Sequence, residues 1–267
     1  MTSSASSRQR LAELHQVESA GGRQSLGLFS IEGLRLVERA LRAGAELEAV
    51  IWAESIANAT DERVRALRAE LARRPDTEQH VVADEAVARL TGGRTYGAVL
   101  ALVRRPDPPS LAQCLAPRGV LLCAVDAEDP GNVGALVRTA LASGAGAFIA
   151  LGSTDPLHPK AVRTSMGSVF KLPLLVRRDE ELLEELRTLG VRSIGAVSRG
   201  GTPLPALPAH AGPSALFVGS EAFGLSDELV QQLDAEVTIP MATDVDSLSV
   251  NAAAAICLYE LLTHRPA

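Results

Sequence analysis

Apolar positions in the first hundred residues alternate between helix-like and strand-like spacing. Within residues 32–43 they recur at three- and four-residue intervals, which is the spacing of one helical face. Further helices are predicted over residues 7–19, 61–73 and 84–90, and strands over 26–31, 47–52, 80–82 and 97–103. The pattern predicts a small α/β domain.

The second half alternates in the same way over longer segments. Strands are predicted over residues 119–125, 147–151, 191–197, 214–218 and 235–239, and helices over 132–143, 179–189, 226–233 and 248–262. Strands that alternate with helices predict a parallel sheet with helices on both faces. The predicted fold class is therefore α/β in both halves.

The segment RRPDPPS at residues 104–110 separates the halves, and three of its seven residues are proline. Charged, proline-rich segments are stiff and non-helical, which favours a connection between domains. We predict a first domain over residues 1–105, a linker over 106–118 and a second domain over 119–267.

Composition narrows the class of protein. Apolar residues make up 46% of the chain and aromatic residues 3%, so Leu, Val, Ile and Ala must build the cores. No apolar run approaches the roughly 20 residues that span a bilayer, and the N-terminus lacks a signal-peptide pattern, so we expect a soluble, cytoplasmic protein. Cys114, Cys123 and Cys257 lie far apart without a CxxC motif, which predicts buried free thiols.

Charge gives a mixed indication about nucleic acid. The net charge of −6 argues weakly against such a partner. Residues 1–106, however, hold 15 Arg against 14 acidic residues, and 24 of the 26 basic residues of the chain are Arg. The guanidinium fork suits phosphate, although a GC-rich genome explains the same preference.

Several common catalytic motifs are missing from the sequence. It contains no GxGxxG after a predicted strand, no P-loop, no HExxH and no GxSxG. The five histidines are scattered, and no metal-ligand spacing is present. These absences disfavour a nucleotide-binding loop, a metal site and a histidine-based hydrolase.

Three segments follow predicted strands, where ligands bind in open α/β sheets. The first, residues 126–140, places Asn132 at a helix start and Arg138 off the apolar stripe of that helix. A helix N-terminus and an Arg together can hold an anion such as a phosphate. An Asn cap and a solvated Arg explain the same pattern without a ligand.

The second segment, residues 216–226, carries Glu221 between Gly219 and Gly224. The glycines permit unusual backbone angles or close approach of a ligand, although an ordinary loop with an exposed Glu fits as well. The third segment runs from Thr238 into a helix that is apolar nearly all round. Such a helix is buried on several sides, and its four consecutive alanines permit close packing, including against a second subunit. A buried terminal helix capped by Ser247 is the plainer interpretation.

In this order and spacing the three segments resemble the SpoU/TrmH family of RNA ribose 2′-O-methyltransferases, of the SPOUT class. The family motif NPGNVGAILRTA corresponds to residues 129–140, and VGSEGxGLS to 218–226 with Ala222 in place of a Gly. The third motif, IPM followed by SLNVSVAAA, matches at 239–241 and then departs, because this chain reads SLSVNAAAA. In a segment that is already helical, Ser249 and Asn251 point about 200° apart, so Asn251 is not expected to substitute for the family's Asn.

The N-terminal half extends the resemblance. Residues 29–37 are similar to the F-x-x-E-G-x-R-x-V stretch of the family's substrate-binding domain, 95–99 to its closing strand, and 158–173 to a further family stretch. The resemblance implies an L30e-like, ribosomal-protein-like domain that recognises RNA. It also implies a catalytic domain with a C-terminal trefoil knot that binds S-adenosylmethionine, assembled as a homodimer.

The resemblance also assigns residues to roles. It implies catalytic roles for Arg138, Asn132, Glu221 and Ser247, and it places S-adenosylmethionine against the backbone of Ser198, Gly219, Ile239 and Leu248. Candidate RNA contacts are Arg163, Arg35 and Arg23, with Arg8, Arg10 and Arg94 as further basic positions. Arg138 is expected to stabilise charge rather than act as a base, because guanidinium stays protonated in proteins. No metal is implied.

The implied function is S-adenosylmethionine-dependent 2′-O-methylation of a ribose, favouring ribosomal RNA. The alternatives are a transfer RNA methyltransferase, a catalytically silent RNA-binding member of the same fold, and an unrelated α/β enzyme whose acidic surface repels RNA. Antibiotic-resistance methyltransferases of the ribosome share this layout, so both housekeeping and resistance roles stay open.

Overall fold

The computed structural model describes residues 5–93, 98–242 and 246–263. The chain forms two compact units. The first comprises Met1–Pro106 and Leu157–Arg163, and the second comprises Asp107–Pro156 and Thr164–Ala267. Residues 107–118 therefore belong to the second unit, and the predicted linker over 106–118 is wrong for that stretch. The physical reason is Leu111, which begins a short 3-10 turn and is fully buried in the second core.

The first unit is built on a four-stranded sheet. Its strands are β1 (Leu28–Glu32), β2 (Leu47–Ala53), β3 (Glu78–Val82) and β4 (Val99–Arg104), in the order β1-β4-β2-β3. Its helices are α1 (Ala5–Gln16), α2 (Ala20–Leu26), α3 (Leu34–Arg42), α4 (Glu54–Ala57), α5 (Glu62–Ala72) and α6 (Asp84–Thr91). Pairing is antiparallel except between β2 and β3. Predicted strand residue Gly97 lies outside the described residues.

The apolar pattern missed two helices of the first unit, the four-residue α4 and, before β1, helix α2. Helix α2 begins after Ser19, whose hydroxyl accepts a hydrogen bond from the Gly22 amide at 3.0 Å. It ends at Gly27, which has a left-handed φ of 63°. The predicted strand over 26–31 is consequently shifted to β1, because Leu26 is the last helical residue and Gly27 the break.

The second unit is built on a seven-stranded sheet in which every pair of named strands is parallel. Its strands are β5 (Val120–Val125), β6 (Ala147–Leu151), β7 (Leu174–Arg177), β8 (Arg192–Ala196), β9 (Thr202–Pro203), β10 (Ser214–Val218) and β11 (Ala235–Thr238). Their order is β7-β6-β5-β10-β8-β11-β9. This confirms the predicted α/β fold with a parallel sheet.

The helices of the second unit flank that sheet. They are α7 (Pro130–Ser143), α9 (Asp179–Thr188), α10 (Asp227–Val230) and α11 (Val250–Thr263). Helix α8 (Pro159–Thr164) belongs to the first unit except for its last residue. The two edge strands β7 and β9 were not predicted. Four and two residues are too short for a periodic signal, and Pro203 in β9 lacks a donor, which suits an edge position.

The core of the second unit explains the continuous apolar runs in its sequence. Every residue of β5, β6 and β10 is buried, as expected for parallel strands covered on both faces. Cys114, Cys123 and Cys257 are buried free thiols, which confirms that prediction. Among the described helices, none is long and apolar enough to cross a bilayer.

Candidate active site

A cavity of about 470 Å³ lies at the carboxyl ends of three neighbouring strands of the second unit, β10, β8 and β11. Because these strands are parallel, the loops that follow them meet at one edge of the sheet. Ser198 follows β8, Gly219 follows β10 and Ile239 follows β11, and all three line the cavity. Leu248, just before α11, also lines it. The fold thus brings together the four residues predicted to hold the cofactor.

The loop after β10 is tightly folded and forms one wall of the cavity. The Gly224 amide donates to the Ser220 carbonyl at 2.9 Å, and Gly224 has a left-handed φ of 70°. A Cβ on Gly219 would lie 2.1 Å from the carbonyl carbon of Gly224, so a side chain cannot fit there without moving backbone. This loop carries Glu221 and the phenyl ring of Phe223, which is 93% exposed.

Arg199, which also lines the cavity, forms an ion pair that the sequence did not predict. Arg199 follows β8, and its Nη2 lies 2.9 Å from Oδ1 of Asp246, just before Ser247. Both side chains are exposed, at 72% and 97%. The spacing of 47 residues between the partners carries no local signal, so only the sheet order could have placed them together. Ser247, for which the resemblance implies a catalytic role, is exposed and lines the cavity.

The start of α7 differs from the predicted Asn cap. Asp129 is the cap residue: its Oδ1 accepts hydrogen bonds from the Gly131 amide and, at 3.2 Å, from the Asn132 amide. Pro130 occupies the first helical position, where its missing donor costs nothing. Because Asp129 satisfies the helix end, the side chain of Asn132 is not needed there and turns to Glu221 instead.

Asn132, in the first motif segment, is hydrogen-bonded directly to one residue of the second segment and one residue of the third. Its Nδ2 donates a hydrogen bond to Oε1 of Glu221, and its Oδ1 accepts one from Nδ2 of Asn251 at 3.2 Å. Glu221 is exposed, whereas Asn132 and Asn251 are half-buried. The structure therefore joins α7, the loop after β10 and α11 through three side chains.

Asn251 contacts Asn132, although it was not expected to substitute for the family's Asn in a segment that is already helical. That expectation assumed a helix through Ser249, but α11 begins at Val250. Ser249 lies before the helix, where its hydroxyl accepts from the Ala252 amide at 3.3 Å. Ser249, and not Ser247 as predicted, therefore caps α11. With the helix starting at Val250, Asn251 lies on the face of its first turn that contacts Asn132.

Arg138 lies six residues after Asn132 on α7, away from the buried stripe of that helix. Its side chain is exposed, and within the part of the chain that the structure describes it makes no hydrogen bond or ion pair. It is not among the residues that line the cavity. The structure thus places Arg138 on the surface of a motif helix, with its guanidinium available to an anion.

The loop from β5 to α7 is held by close contacts around Asp126. Asp126 has a φ of 51°, which is unusual for a residue with a side chain. A Cβ on Gly152 would lie 2.1 Å from the Asp126 carboxylate. Burial, the charge of Asp126 and that of Glu180 raise the pKa of Asp179 at the start of α9. In the described ranges no group of three His, Cys, Asp or Glu side chains is arranged to hold a metal ion.

The candidate RNA contacts of the first unit divide into buried and exposed residues. Arg23 is 1% exposed and donates to the carbonyls of Val17 and Glu18 at 2.9 Å, so the prediction that it binds RNA is wrong. Arg10 is 12% exposed and pairs with three carboxylates, which also removes it as a contact. Arg163 pairs with Glu32 at 2.9 Å. The exposed candidates are Arg8 and Arg35, while Arg94 lies outside the described residues.

Comparison with known families shows to which family the chain that forms this cavity belongs. Residues 119–259, which contain all three motifs, match the SpoU rRNA Methylase family. The chain belongs to the SpoU rRNA methylase family. Residues 9–101 match a second family, the MRM3-like substrate binding domain. Both halves of the predicted resemblance are thereby confirmed.

Relatives of the SpoU chain cover nearly its whole length. A 23S rRNA (guanosine(2553)-2′-O)-methyltransferase of Bacillus subtilis is 27% identical over 95% of this chain and 96% of its own. An AdoMet-bound rRNA methyltransferase from Sinorhizobium meliloti superposes with a TM-score of 0.84 and 25% identity over 100% and 98% of the two chains. The AdoMet complex of the SpoU methyltransferase AviRb from Streptomyces viridochromogenes gives 0.83 and 26% over 96% and 97%.

Proposed function

We propose that this SpoU protein transfers a methyl group from S-adenosylmethionine to the 2′-hydroxyl of a ribose in ribosomal RNA. The observation that carries the proposal is the hydrogen bond between Asn132 and Glu221. Glu221 lies on the cavity wall and Asn132 on the helix of another motif, so the bond connects that helix to the cavity. The B. subtilis relative supports the same reaction on 23S rRNA. Two AdoMet-bound structural relatives support the donor.

The cavity fits a ligand of this kind. About 470 Å³ lies within the range of roughly 300–1,000 Å³ for small-molecule sites, which combine an apolar lining with a few polar groups. Val218, Ile239 and Leu248 supply apolar surface, and the backbone of Ser198 and Gly219 would supply donors and acceptors. These residues would hold S-adenosylmethionine. At Gly219 the loop after β10 is packed too tightly to admit a side chain.

When bound, S-adenosylmethionine supplies a methyl group that is already activated. The protein therefore has to align the 2′-oxygen with that group, exclude water and ease the loss of the hydroxyl proton. We assign the electrostatic part to Arg138, whose fixed positive charge would stabilise the developing negative charge on the oxygen and contact a neighbouring phosphate. Arg138 does not serve as a base, because guanidinium is not deprotonated in proteins.

Glu221 and Ser247 would orient the ribose. Both are exposed at the cavity, and a carboxylate and a hydroxyl can each hydrogen-bond a sugar hydroxyl. Asn132 would set the direction of the Glu221 carboxylate through its hydrogen bond. The three side chains would thus hold the acceptor while Arg138 stabilises charge on it.

Ribosomal RNA is favoured over transfer RNA by the substrate-binding match over residues 9–101 and by the B. subtilis relative. We propose an L30e-like RNA-binding domain over about residues 1–106, with Arg35 and Arg8 as exposed phosphate contacts and Arg163 able to exchange Glu32 for phosphate. RNA of this kind would be recognised through shape, phosphate and 2′-hydroxyl contacts. A ribosomal substrate implies a cytoplasmic location.

The finer architecture is also proposed. Support for a trefoil knot is that α11, at the chain end, packs against α7, β5 and β10, while β10 lies between β5 and β8 in the sheet. Support for a homodimer is the outer face of α11, where Ile256 is 42% and Tyr259 65% exposed. Apolar side chains on one helix face are suited to a subunit interface.

One experiment tests the function. The protein is incubated with tritiated S-adenosylmethionine and total ribosomal RNA or total transfer RNA, and 2′-O-methyl sites are mapped in the labelled RNA. Transfer to one ribosomal nucleotide is expected. Calorimetry with S-adenosylmethionine runs in parallel. Binding without transfer to any RNA would indicate the catalytically silent alternative, and transfer RNA labelling would replace the proposed substrate.

A further inference from the structure

The carboxamide of Asn251 ends a chain of side-chain hydrogen bonds that leads to the cavity. Asn251 Nδ2 donates to Asn132 Oδ1 at 3.2 Å, and Asn132 Nδ2 donates to Glu221 Oε1. The two links span 119 and 89 residues of sequence. Three elements that are remote along the chain, α11, α7 and the loop after β10, are therefore linked by side-chain hydrogen bonds.

Only one orientation of the two amides satisfies this chain. An ionised carboxylate accepts hydrogen bonds and donates none, so Asn132 must direct its NH₂ group at Glu221. Its oxygen then faces Asn251, which must direct its own NH₂ group back. A side chain without a donor at position 251 would release Asn132 to rotate, and Glu221 would lose its fixed donor.

The environment of Asn251 indicates that this donation is its purpose. Its Oδ1 is buried and finds no partner among the described residues. Proteins keep few such orphaned acceptors, because an unpaired buried oxygen has lost its hydrogen bonds to water. An apolar side chain would avoid that loss in the first turn of α11. The nitrogen is therefore the part of this carboxamide that makes a contact, and its contact is the hydrogen bond to Asn132.

Ser249 performs a different task, although the resemblance places the family's Asn at its position. Its hydroxyl and its carbonyl accept from the amides of Ala252 and Ala253 at 3.3 and 3.0 Å, so it caps α11. It is exposed. The Ser and Asn of this motif have thus exchanged places relative to the family pattern, with the cap at 249 and the carboxamide at 251.

We propose that Asn251 is a positioning residue for methyl transfer, which holds Asn132 and, through it, the Glu221 carboxylate in the direction that orients the acceptor ribose. The proposal rests on the proposed function, and it concerns a residue outside the positions that the family pattern assigns. Asn251 acts on turnover, and it contributes little to the affinity for S-adenosylmethionine because it does not line the cavity.

The test compares Asn251→Ala, which has no side-chain donor, and Asn251→Asp with the wild type. Both remove the NH₂ donor, and the second keeps the size of the side chain, so packing is preserved. We expect kcat for methylation of ribosomal RNA to fall about 10- to 100-fold, as small misplacements of reacting groups do, with the calorimetric Kd for S-adenosylmethionine changed by less than about twofold. Gln232→Ser is the control, because the exposed amide that it removes donates, among the described residues, only to the Glu228 carbonyl.

A double-mutant cycle separates positioning from a merely structural role. If Asn251 acts through Asn132, then Asn251→Ala added to Asn132→Ala should cost no further turnover beyond about twofold. Additive losses, or full turnover in both Asn251 variants, overturn the proposal.

A second measurement does not depend on activity. The side-chain NH₂ resonances of Asn132 in a ¹⁵N spectrum should shift in Asn251→Asp and stay in place in Gln232→Ser. Unshifted Asn132 resonances overturn the proposal even if the wild type methylates no RNA. Shifted resonances in an inactive wild type would leave the positioning geometry intact and reject the proposed function alone.

Discussion

The side-chain amide of Asn132 donates a hydrogen bond to the carboxylate of Glu221, which lies 89 residues further along the chain. Asn132 can make this contact because Asp129 already satisfies the amides at the start of α7. Asn132 lies in the first turn of α7, the helix that follows β5, and Glu221 lies in the loop after β10; β5 and β10 are neighbouring strands of the sheet. Because Asp129 caps the helix, the Asn132 side chain is free to contact Glu221.

Replacing Arg138 by Ala is expected to lower methyl transfer by about 100- to 1,000-fold, the usual cost of removing a group that stabilises transition-state charge. Binding of S-adenosylmethionine should be nearly unchanged, because Arg138 does not line the cavity. Single-turnover rates and calorimetry measure the two effects. Arg187→Ala, an exposed Arg on α9, serves as the control. Equal loss of turnover and cofactor binding would assign Arg138 to the cofactor site instead.

Replacing Gly219 by Ala is expected to weaken binding of S-adenosylmethionine by about 10-fold or more, an effect of about 1.4 kcal/mol. The added Cβ would lie 2.1 and 2.2 Å from backbone atoms of Gly224, so the wall of the cavity must move. Calorimetry measures the affinity. Gly21→Ala is the control, since its Cβ meets nothing within 4 Å and a helical Ala is favoured over Gly. Unchanged affinity in Gly219→Ala would place the cofactor elsewhere.

Apolar periodicity was sufficient to predict most of the fold. The buried runs over β5, β6 and β10 and the helical stripe of α7 could be read directly, because burial of those faces is what forms the elements. Helix α2 could not, because its sequence AGGRQSL carries two glycines and no apolar stripe. Its stability comes from the Ser19 cap and from the contacts of Arg23, which are tertiary.

The site required more than periodicity. The order β5-β10-β8-β11, which brings the motif loops together, is not encoded in any local pattern. Resemblance to family motifs supplied the residues that line the cavity, but it could not locate the start of α11, and so it misjudged Asn251. Nor could it distinguish Arg23 from a surface Arg, because burial of a guanidinium depends on the carbonyls that happen to surround it.

The native protein is expected to have no thiol that reacts rapidly with Ellman's reagent. All three cysteines are buried, and burial raises the pKa of Cys257 to about 12 and that of Cys123 well above its usual value. The reactive thiolate is therefore scarce at neutral pH. Absorbance should show three thiols only after unfolding in guanidinium. Rapid reaction of the native protein would contradict the burial of these side chains.

Stability of the first unit should fall on acidification, partly through Glu78. Hydrogen bonds from Arg10 and His80 lower the pKa of Glu78 from 4.5 to about 2. A lowered carboxyl pKa stabilises the folded state above pH 4.5, and this contribution is lost as the pH falls toward 2. Glu78→Gln should therefore destabilise the protein at pH 7 by about 1 kcal/mol, since the side chain is partly exposed. Urea unfolding should show a smaller difference at pH 3; an equal difference at both pH values would exclude ionisation as the cause.

The corrected assignment of the arginines predicts opposite effects at two positions. Arg23→Ala should destabilise the first unit by about 2 kcal/mol or more, because it leaves the carbonyls of Val17 and Glu18 without their buried donor. Arg35→Ala should change stability by less than about 0.5 kcal/mol, because the side chain is exposed. It should instead weaken RNA binding and reduce the slope of log K against log salt concentration by about one, the amount expected for one lost phosphate contact. Urea unfolding and filter binding to ribosomal RNA at several salt concentrations measure both. A stable Arg23→Ala protein with weakened RNA binding would restore Arg23 as an RNA contact.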